Sequence, residues 1–221
     1  MKAKEHFNDR ASSYEDLIVR IVPHHPLFFG TVIDFIPSGR ARILELGSGT
    51  GLVTELILKQ NPRADITCID MTPEMLEVAR AKEALRDVTL IEGDFRDVWP
   101  EGSFDAIVST LCFHHLTGED RATMAGNIFA SLVPGGWFIN GDVFRPESEW
   151  EESVYMERWL EYMHRMGLPP AEAEGMVQKR AASYRFLDTV THFRQTCASA
   201  GFERILLPFV YDIYGVLCCQ K

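Results

Sequence analysis

Three observations in this sequence predict an α/β fold, with a mostly parallel sheet closed at one edge by an antiparallel hairpin. Short apolar runs alternate with stretches of helical period along the 221 residues. The first five runs lie far enough apart for the helical crossovers that parallel strands require, whereas the last two are separated only by Asp212 and Ile213. A glycine-rich turn follows the first run at once and opens an amphipathic stretch, the order of strand, turn and helix that binds ligands in such folds.

In chain order the strands are expected at 42–46, 65–69, 89–92, 106–110, 137–141, 204–211 and 214–220. Pro208 cannot donate to a ladder, so the sixth strand belongs at an edge or carries a bulge. Cys218 and Cys219 are adjacent in the last strand and should face opposite sides of the sheet. Two regions fall outside the alternation: residues 1–37, expected as an N-terminal helical lid, and residues 145–184, a helical insert after strand five. The insert bears Trp150, Tyr155, Met156, Trp159, Tyr162, Met163 and Met166, spaced largely as one helix face demands. An aromatic face there, beside the carboxyl ends of the strands, is placed to shape a pocket. Residues 1–221 read as a single domain.

The composition, 46% hydrophobic and 24% charged, is that of a packed globular protein. Its formal charge of −10 disfavours a broad electrostatic grip on nucleic acid. Five cysteines occur without a C-x-x-C pair, so neither a zinc site nor a disulfide framework is expected, and no metal is assigned. No stretch approaches the length of a membrane span and the first residues do not read as a secretion signal, so a cytoplasmic protein without a membrane partner is expected.

The chemistry concentrates after the first strand. In Ile43-Leu44-Glu45-Leu46-Gly47-Ser48-Gly49-Thr50-Gly51 the glycines permit a tight turn and close approach of a ligand to the backbone. Asp70 ends the second strand, 19 residues beyond Gly51, where a carboxylate can accept hydrogen bonds from both hydroxyls of a ribose. Dinucleotide enzymes space their glycines G-x-G-x-x-G, but the corresponding last position here is Leu52, which disfavours NAD.

This motif resembles motif I of the class I, Rossmann-like methyltransferases that use S-adenosyl-L-methionine, and the resemblance runs in register over residues 43–142. It implies a seven-stranded sheet of order 3-2-1-4-5-7-6, with strand seven antiparallel and helices on both faces. In that family the acid matching Asp70, followed here by Met71, grips the ribose. The acid matching Asp94 receives the adenine amino group, and Phe95 flanks the ring. The strand-four motif corresponds to Phe104-Asp105-Ala106-Ile107-Val108-Ser109-Thr110-Leu111-Cys112-Phe113-His114-His115-Leu116. The segment Leu132-Val133-Pro134-Gly135-Gly136-Trp137 looks like the turn entering strand five.

A narrower resemblance touches both ends of the chain. Phe7-Asn8-Asp9-Arg10, Arg20-Ile21-Val22-Pro23, Gln178-Lys179-Arg180 and Ala200-Gly201-Phe202-Glu203 are similar to the family that carboxymethylates a wobble uridine of tRNA with carboxy-S-adenosyl-L-methionine. There the arginine matching Arg180 contacts the extra carboxylate, a task that suits the guanidinium fork. Motif I here is the ordinary methyltransferase form, His25 stands in place of a tyrosine and Thr110 in place of an asparagine. Together the resemblances imply cofactor contacts at Tyr14, His25, Gly47, Ser48, Gly49, Gly51, Asp70, Met71, Asp94, Phe95, Thr110 and Arg180, with Glu45 organising the turn.

A sulfonium methyl is already electrophilic, so the protein mainly has to align an acceptor and exclude water. For a hydroxyl or thiol acceptor a base is expected near the end of strand four. His114 is the catalytic candidate, with His115 and Asp142 as neighbouring possibilities. The leading expectation is a methyltransferase for a small-molecule acceptor. One alternative is the tRNA carboxymethyltransferase, with tRNA as a partner that the charge disfavours. Another is a non-catalytic regulatory protein that binds S-adenosylmethionine. A homodimer is compatible with each.

Overall fold

The computed structural model describes residues 13–221. Its strands are β1 (Arg42–Leu46), β2 (Asp65–Asp70), β3 (Thr89–Glu92), β4 (Phe104–Thr110), β5 (Leu132–Val143), β6 (Arg204–Tyr211) and β7 (Tyr214–Gln220). They form one sheet of order β3-β2-β1-β4-β5-β7-β6, with β7 antiparallel to both neighbours, which is the expected topology. β5 begins at Leu132 rather than 137. Leu132 pairs with Phe104, and the next residues are tied to the chain end by Gly135 N–H to Lys221 O and Lys221 N–H to Gly136 O. The expected turn into strand five is therefore part of the ladder.

β6 lies at the edge and its register slips between Leu206 and Phe209, so Pro208 brings both accommodations that its missing N–H requires. Asp212, at φ 49°, makes the tight turn into β7.

The helices are α1 (Tyr14–Ile21), α2 (His25–Asp34), α3 (Leu52–Gln60), α4 (Pro73–Ala81), α5 (Gly118–Ser131), α6 (Glu149–Arg165), α7 (Pro170–Ser183) and α8 (Val190–Ser199). α6 starts at a capping box in which Ser148 and Glu151 satisfy each other's backbone N–H groups. Phe7-Asn8-Asp9-Arg10, together with the first part of the expected 1–37 lid, lies outside the described residues.

Strand alternation divides the core in two. Ile43, Val108, Ile139 and Cys218 point to one face, packed with Phe28 and Val32 of α2, Ile57 of α3 and Trp159 and Met163 of α6. Leu44, Ile107, Phe138 and Cys219 point to the other, packed with Ile128 of α5 and Phe193 of α8. The paired cysteines thus face opposite sides, both buried and both free thiols. α1, α6 and α7 all lie over the first face. The aromatic face expected of the insert is used mostly for packing: Met163 is fully buried, Tyr155 and Met156 lie against the core and Trp150 is exposed, leaving Trp159 as its contribution to a cavity wall. No helix among the described residues is long and apolar enough to cross a membrane.

Candidate functional site

Parallel strands of one sheet end on the same side, so the loops after β1, β2, β3 and β4 converge. They enclose a crevice of about 240 Å³ lined by Tyr14, Gly47, Gly49, Asp70, Met71, Asp94, Phe95 and Thr110 of the sequence reading. Ser48 lies just behind, under the turn. Gly51, at φ 76°, is the residue from which α3 starts, and an added Cβ would overlap Leu85 Cδ2, so it serves helix packing and not the crevice. His25 is the first residue of α2 and lines neither this crevice nor the second cavity described below.

Asp70 holds the turn as well as lining the crevice. Its Oδ2 accepts from Gly49 N–H at 2.7 Å and its Oδ1 from Thr72 N–H at 2.8 Å. Burial raises its pKa against the pull of those two amides. Asp94 is gripped by Arg96, whose Nη2 donates to Oδ2 at 2.6 Å, and this guanidinium lowers the carboxyl pKa. Phe95 stacks on Phe113 with ring centroids 6.0 Å apart, which fixes the crevice wall behind the ring. Thr110 Oγ1 is buried with no hydrogen-bond partner among the described residues, and an added Cβ at Gly49 would meet nothing within 4 Å. An unpartnered hydroxyl and open space over a glycine turn suit a polar, nucleoside-sized ligand.

Glu45 sits below, on the opposite side of the turn. It is 2% exposed and accepts from Thr54 Oγ1 at 2.6 Å. Burial pushes its pKa from 4.5 up to about 7. A carboxyl raised in the folded state binds more protons there than in the unfolded chain, so its cost appears as pH climbs from about 4.5 and is complete above about 7. Glu45→Gln, which keeps an acceptor for Thr54, should therefore stabilise the protein at pH 8 by about 2 to 3 kcal/mol and change little at pH 4.5. Urea unfolding at the two pH values checks this, and a variant stabilised only at low pH would reverse the assignment.

A second cavity of about 800 Å³ adjoins the crevice, with Tyr14, Leu111 and His115 forming walls of both. Apolar side chains of α1, α6 and α7 cover it, and its lining includes His114 and Arg180. His114 Nδ1 lies 2.6 Å from Asp142 Oδ1, and Asp142 Oδ2 accepts from His114 N–H at 3.0 Å. Two of the base candidates are thus one hydrogen-bonded unit. Asp142 is buried at the end of β5. Arg180 is placed in this second cavity and not in the crevice. Its Nε and Nη2 bind Glu152 at 2.7 and 2.9 Å, and Nη2 also donates to Phe144 O.

Sequence reasoning missed Leu111, whose φ of 52° is held by its N–H bond to Gly141 O. This strained residue separates the two spaces, and nothing in a leucine signals it. Cys112 and Arg96 also line the crevice and were legible only as members of quoted or adjoining motifs.

Comparison with known proteins agrees with this geometry. Residues 43–136 match the family model of a methyltransferase domain. A curated relative, the carboxy-S-adenosyl-L-methionine synthase of Shewanella baltica, is 29% identical over 94% of this chain and 91% of its own. Among solved structures, DhpI in complex with S-adenosylhomocysteine has a TM-score of 0.69 at 15% identity, covering 98% of this chain and 94% of that one. A putative O-methyltransferase from Nostoc punctiforme has a TM-score of 0.68 at 17% identity, and there the match covers 97% of this chain but only 60% of the other. Residues 43–136 are thus similar to a methyltransferase domain, and with this strand order and a crevice at the carboxyl ends of β1 to β4 the chain has the Rossmann-like fold of the class I, S-adenosylmethionine-dependent methyltransferases.

Proposed function

We propose that the protein transfers a methyl group from S-adenosylmethionine to an oxygen of a small molecule seated in the second cavity, with His114 as the base. The observation that carries this reading is that His114, in the wall of a large apolar cavity that adjoins the cofactor crevice, is hydrogen-bonded to the buried Asp142. A carboxylate on Nδ1 fixes the imidazole with its proton there, which leaves the Nε2 lone pair to take a proton from the acceptor. The sulfonium supplies an electrophilic methyl, and the chain's own task is to align and desolvate the acceptor.

In this reading Asp70 accepts from the ribose hydroxyls, Asp94 from the adenine amino group, and Phe95 flanks the base. Gly47 and Gly49 admit the ligand to the backbone, Ser48 supports the turn, and Thr110 and Tyr14 border the methionine end. Met71 covers the exposed side of the nucleoside. α1, α6 and α7 form the lid over the acceptor.

The similarity to carboxy-S-adenosyl-L-methionine synthases supports a second reading, in which the chain handles the carboxylated cofactor. It differs from the tRNA alternative, since those relatives are named for making that cofactor. The net charge of −10 weighs against tRNA, and the pairing of Arg180 with Glu152 already neutralises the arginine assigned to the extra carboxylate. Mass spectrometry of the ligand released from the purified protein separates the readings. S-adenosylmethionine or S-adenosylhomocysteine is expected, and carboxy-S-adenosylmethionine would replace the first reading with the second.

A further inference from the structure

We propose that Arg96 sets the base specificity of the cofactor crevice, fixing the Asp94 carboxylate as an acceptor for the amino group of adenine so that a nucleoside with a keto oxygen there is turned away. This rests on the reading of Asp94 as the group that meets the base, and adds a positioning residue to it. The first ground is geometry. The chain turns directly after Asp94, whose carbonyl accepts from the N–H groups of Asp97 and Val98 at 2.9 and 2.8 Å. That turn folds Arg96 back onto the Asp94 side chain. Its backbone N–H and its Nε each donate to Oδ1 at 3.0 Å, and Nη2 donates to Oδ2 at 2.6 Å. A planar fork spread over both oxygens fixes the plane of the carboxylate as well as pairing its charge.

The second ground is the capacity left over. An ionised carboxylate offers about four lone-pair sites and no proton, and the backbone N–H, Nε–H and Nη2–H of Arg96 already draw on both oxygens. What remains can take one more donor. The amino group of adenine supplies it, whereas the keto oxygen of hypoxanthine would face negative charge. The third ground is bracing from a separate element. Arg96 Nη1 donates at 3.0 Å to Oδ2 of Asp120 in the first turn of α5, a helix capped by Thr117. The guanidinium thus lines the crevice while held between two carboxylates. It also lowers the pKa of Asp94 against the burial that raises it, which keeps the group an acceptor in mild acid.

The test titrates the full chain by calorimetry with S-adenosylhomocysteine and S-inosylhomocysteine at pH 7.5 and pH 5. The parent should prefer the adenine ligand by at least about tenfold at both, as one charge-assisted contact provides. Arg96→Gln should cut that ratio, and more at pH 5. Without the guanidinium, burial raises the carboxyl pKa, and a protonated Asp94 can donate to the keto oxygen. The other groups facing Asp94 are Asp120 of α5 and Cys112 after β4, with Asp70 and His115 in the same crevice, and all are common to parent and variant. Arg96→Lys keeps the charge without the fork, so it should hold the ratio equal at the two pH values while recovering only part of it. A merely structural Arg96 would weaken both ligands alike. An unmoved ratio in Arg96→Gln, or a ratio that falls equally at both pH values, overturns the proposal. An unmoved ratio in Asp94→Asn that still binds S-adenosylhomocysteine overturns the adenine assignment and this inference with it, and no binding by the parent overturns the transferase reading.

Discussion

Replacing His114 with Asn is expected to slow methyl transfer by about 100- to 10,000-fold while leaving S-adenosylhomocysteine affinity unchanged, the range by which a positioned general base accelerates proton removal. The side chain lines the second cavity and not the cofactor crevice, so its loss leaves the cofactor's contacts in place. Asp142→Asn should produce a similar fall for a different reason. An amide in place of the carboxylate can present its nitrogen to Nδ1, which moves the imidazole proton to Nε2 and removes the lone pair needed for the acceptor. The variant also perturbs Asp142's acceptance of the His114 and Val143 N–H groups, so its fold should be checked by thermal melting. Rates are read as tritiated methyl transferred from S-adenosylmethionine into the small-molecule fraction of a cell extract. Activity within about twofold of the parent for His114→Asn would remove the base from the mechanism and favour an acceptor that is already an anion or an uncharged amine.

The sheet was legible because its signals are local. Each strand is a contiguous apolar run, the Asp212-Ile213 gap leaves room only for a hairpin, and Pro208 restricts its strand to an edge or a bulge. The start of β5 was not legible, since Leu132 pairs with Phe104 and Gly135 and Gly136 are tied to Lys221, all partners distant in sequence. The crevice follows the same division. Asp70, Asp94 and the glycine turn sit at strand ends, and topology alone brings those ends together. His25 and Arg180 were placed by likeness of short segments, which carries no information about the direction in which a helix leads. His25, at the start of α2, lines neither space, and Glu152, 28 residues before Arg180, meets that arginine only through the α6–α7 hairpin. The union of His114 with Asp142 depends on neighbouring strands β4 and β5 ending together, so the sequence offered them only as separate candidates.

Gly47→Ala is expected to abolish cofactor binding and to destabilise the fold, the second large effect. The three glycines of motif I look alike in sequence but stand against different surroundings. Gly49 borders open space, Gly51 abuts Leu85, and a Cβ on Gly47 would overlap the Sγ of Cys112 and lie 2.9 Å from its Cβ. Gly47 also has a φ of 70°, where an alanine is strained by about 1 to 2 kcal/mol before any contact is counted. Overpacking against Cys112 adds about 1 to 3 kcal/mol. The backbone cannot shift freely to relieve it, because Gly47 N–H donates to Ile69 O at 2.8 Å and the turn is tied to Asp70 through Gly49. Relief therefore has to come from Cys112, which lines the crevice itself, so the strain is transmitted to the cofactor's space. A double-mutant cycle with Cys112→Gly isolates this overlap from the φ penalty. The pair should recover much of the stability lost in Gly47→Ala and part of the S-adenosylhomocysteine affinity, with the residual loss left by the positive φ. Additive effects of the two substitutions would show that Cys112 does not oppose a side chain at this turn, and a normal ligand-induced thermal shift in Gly47→Ala alone would move the cofactor away from it.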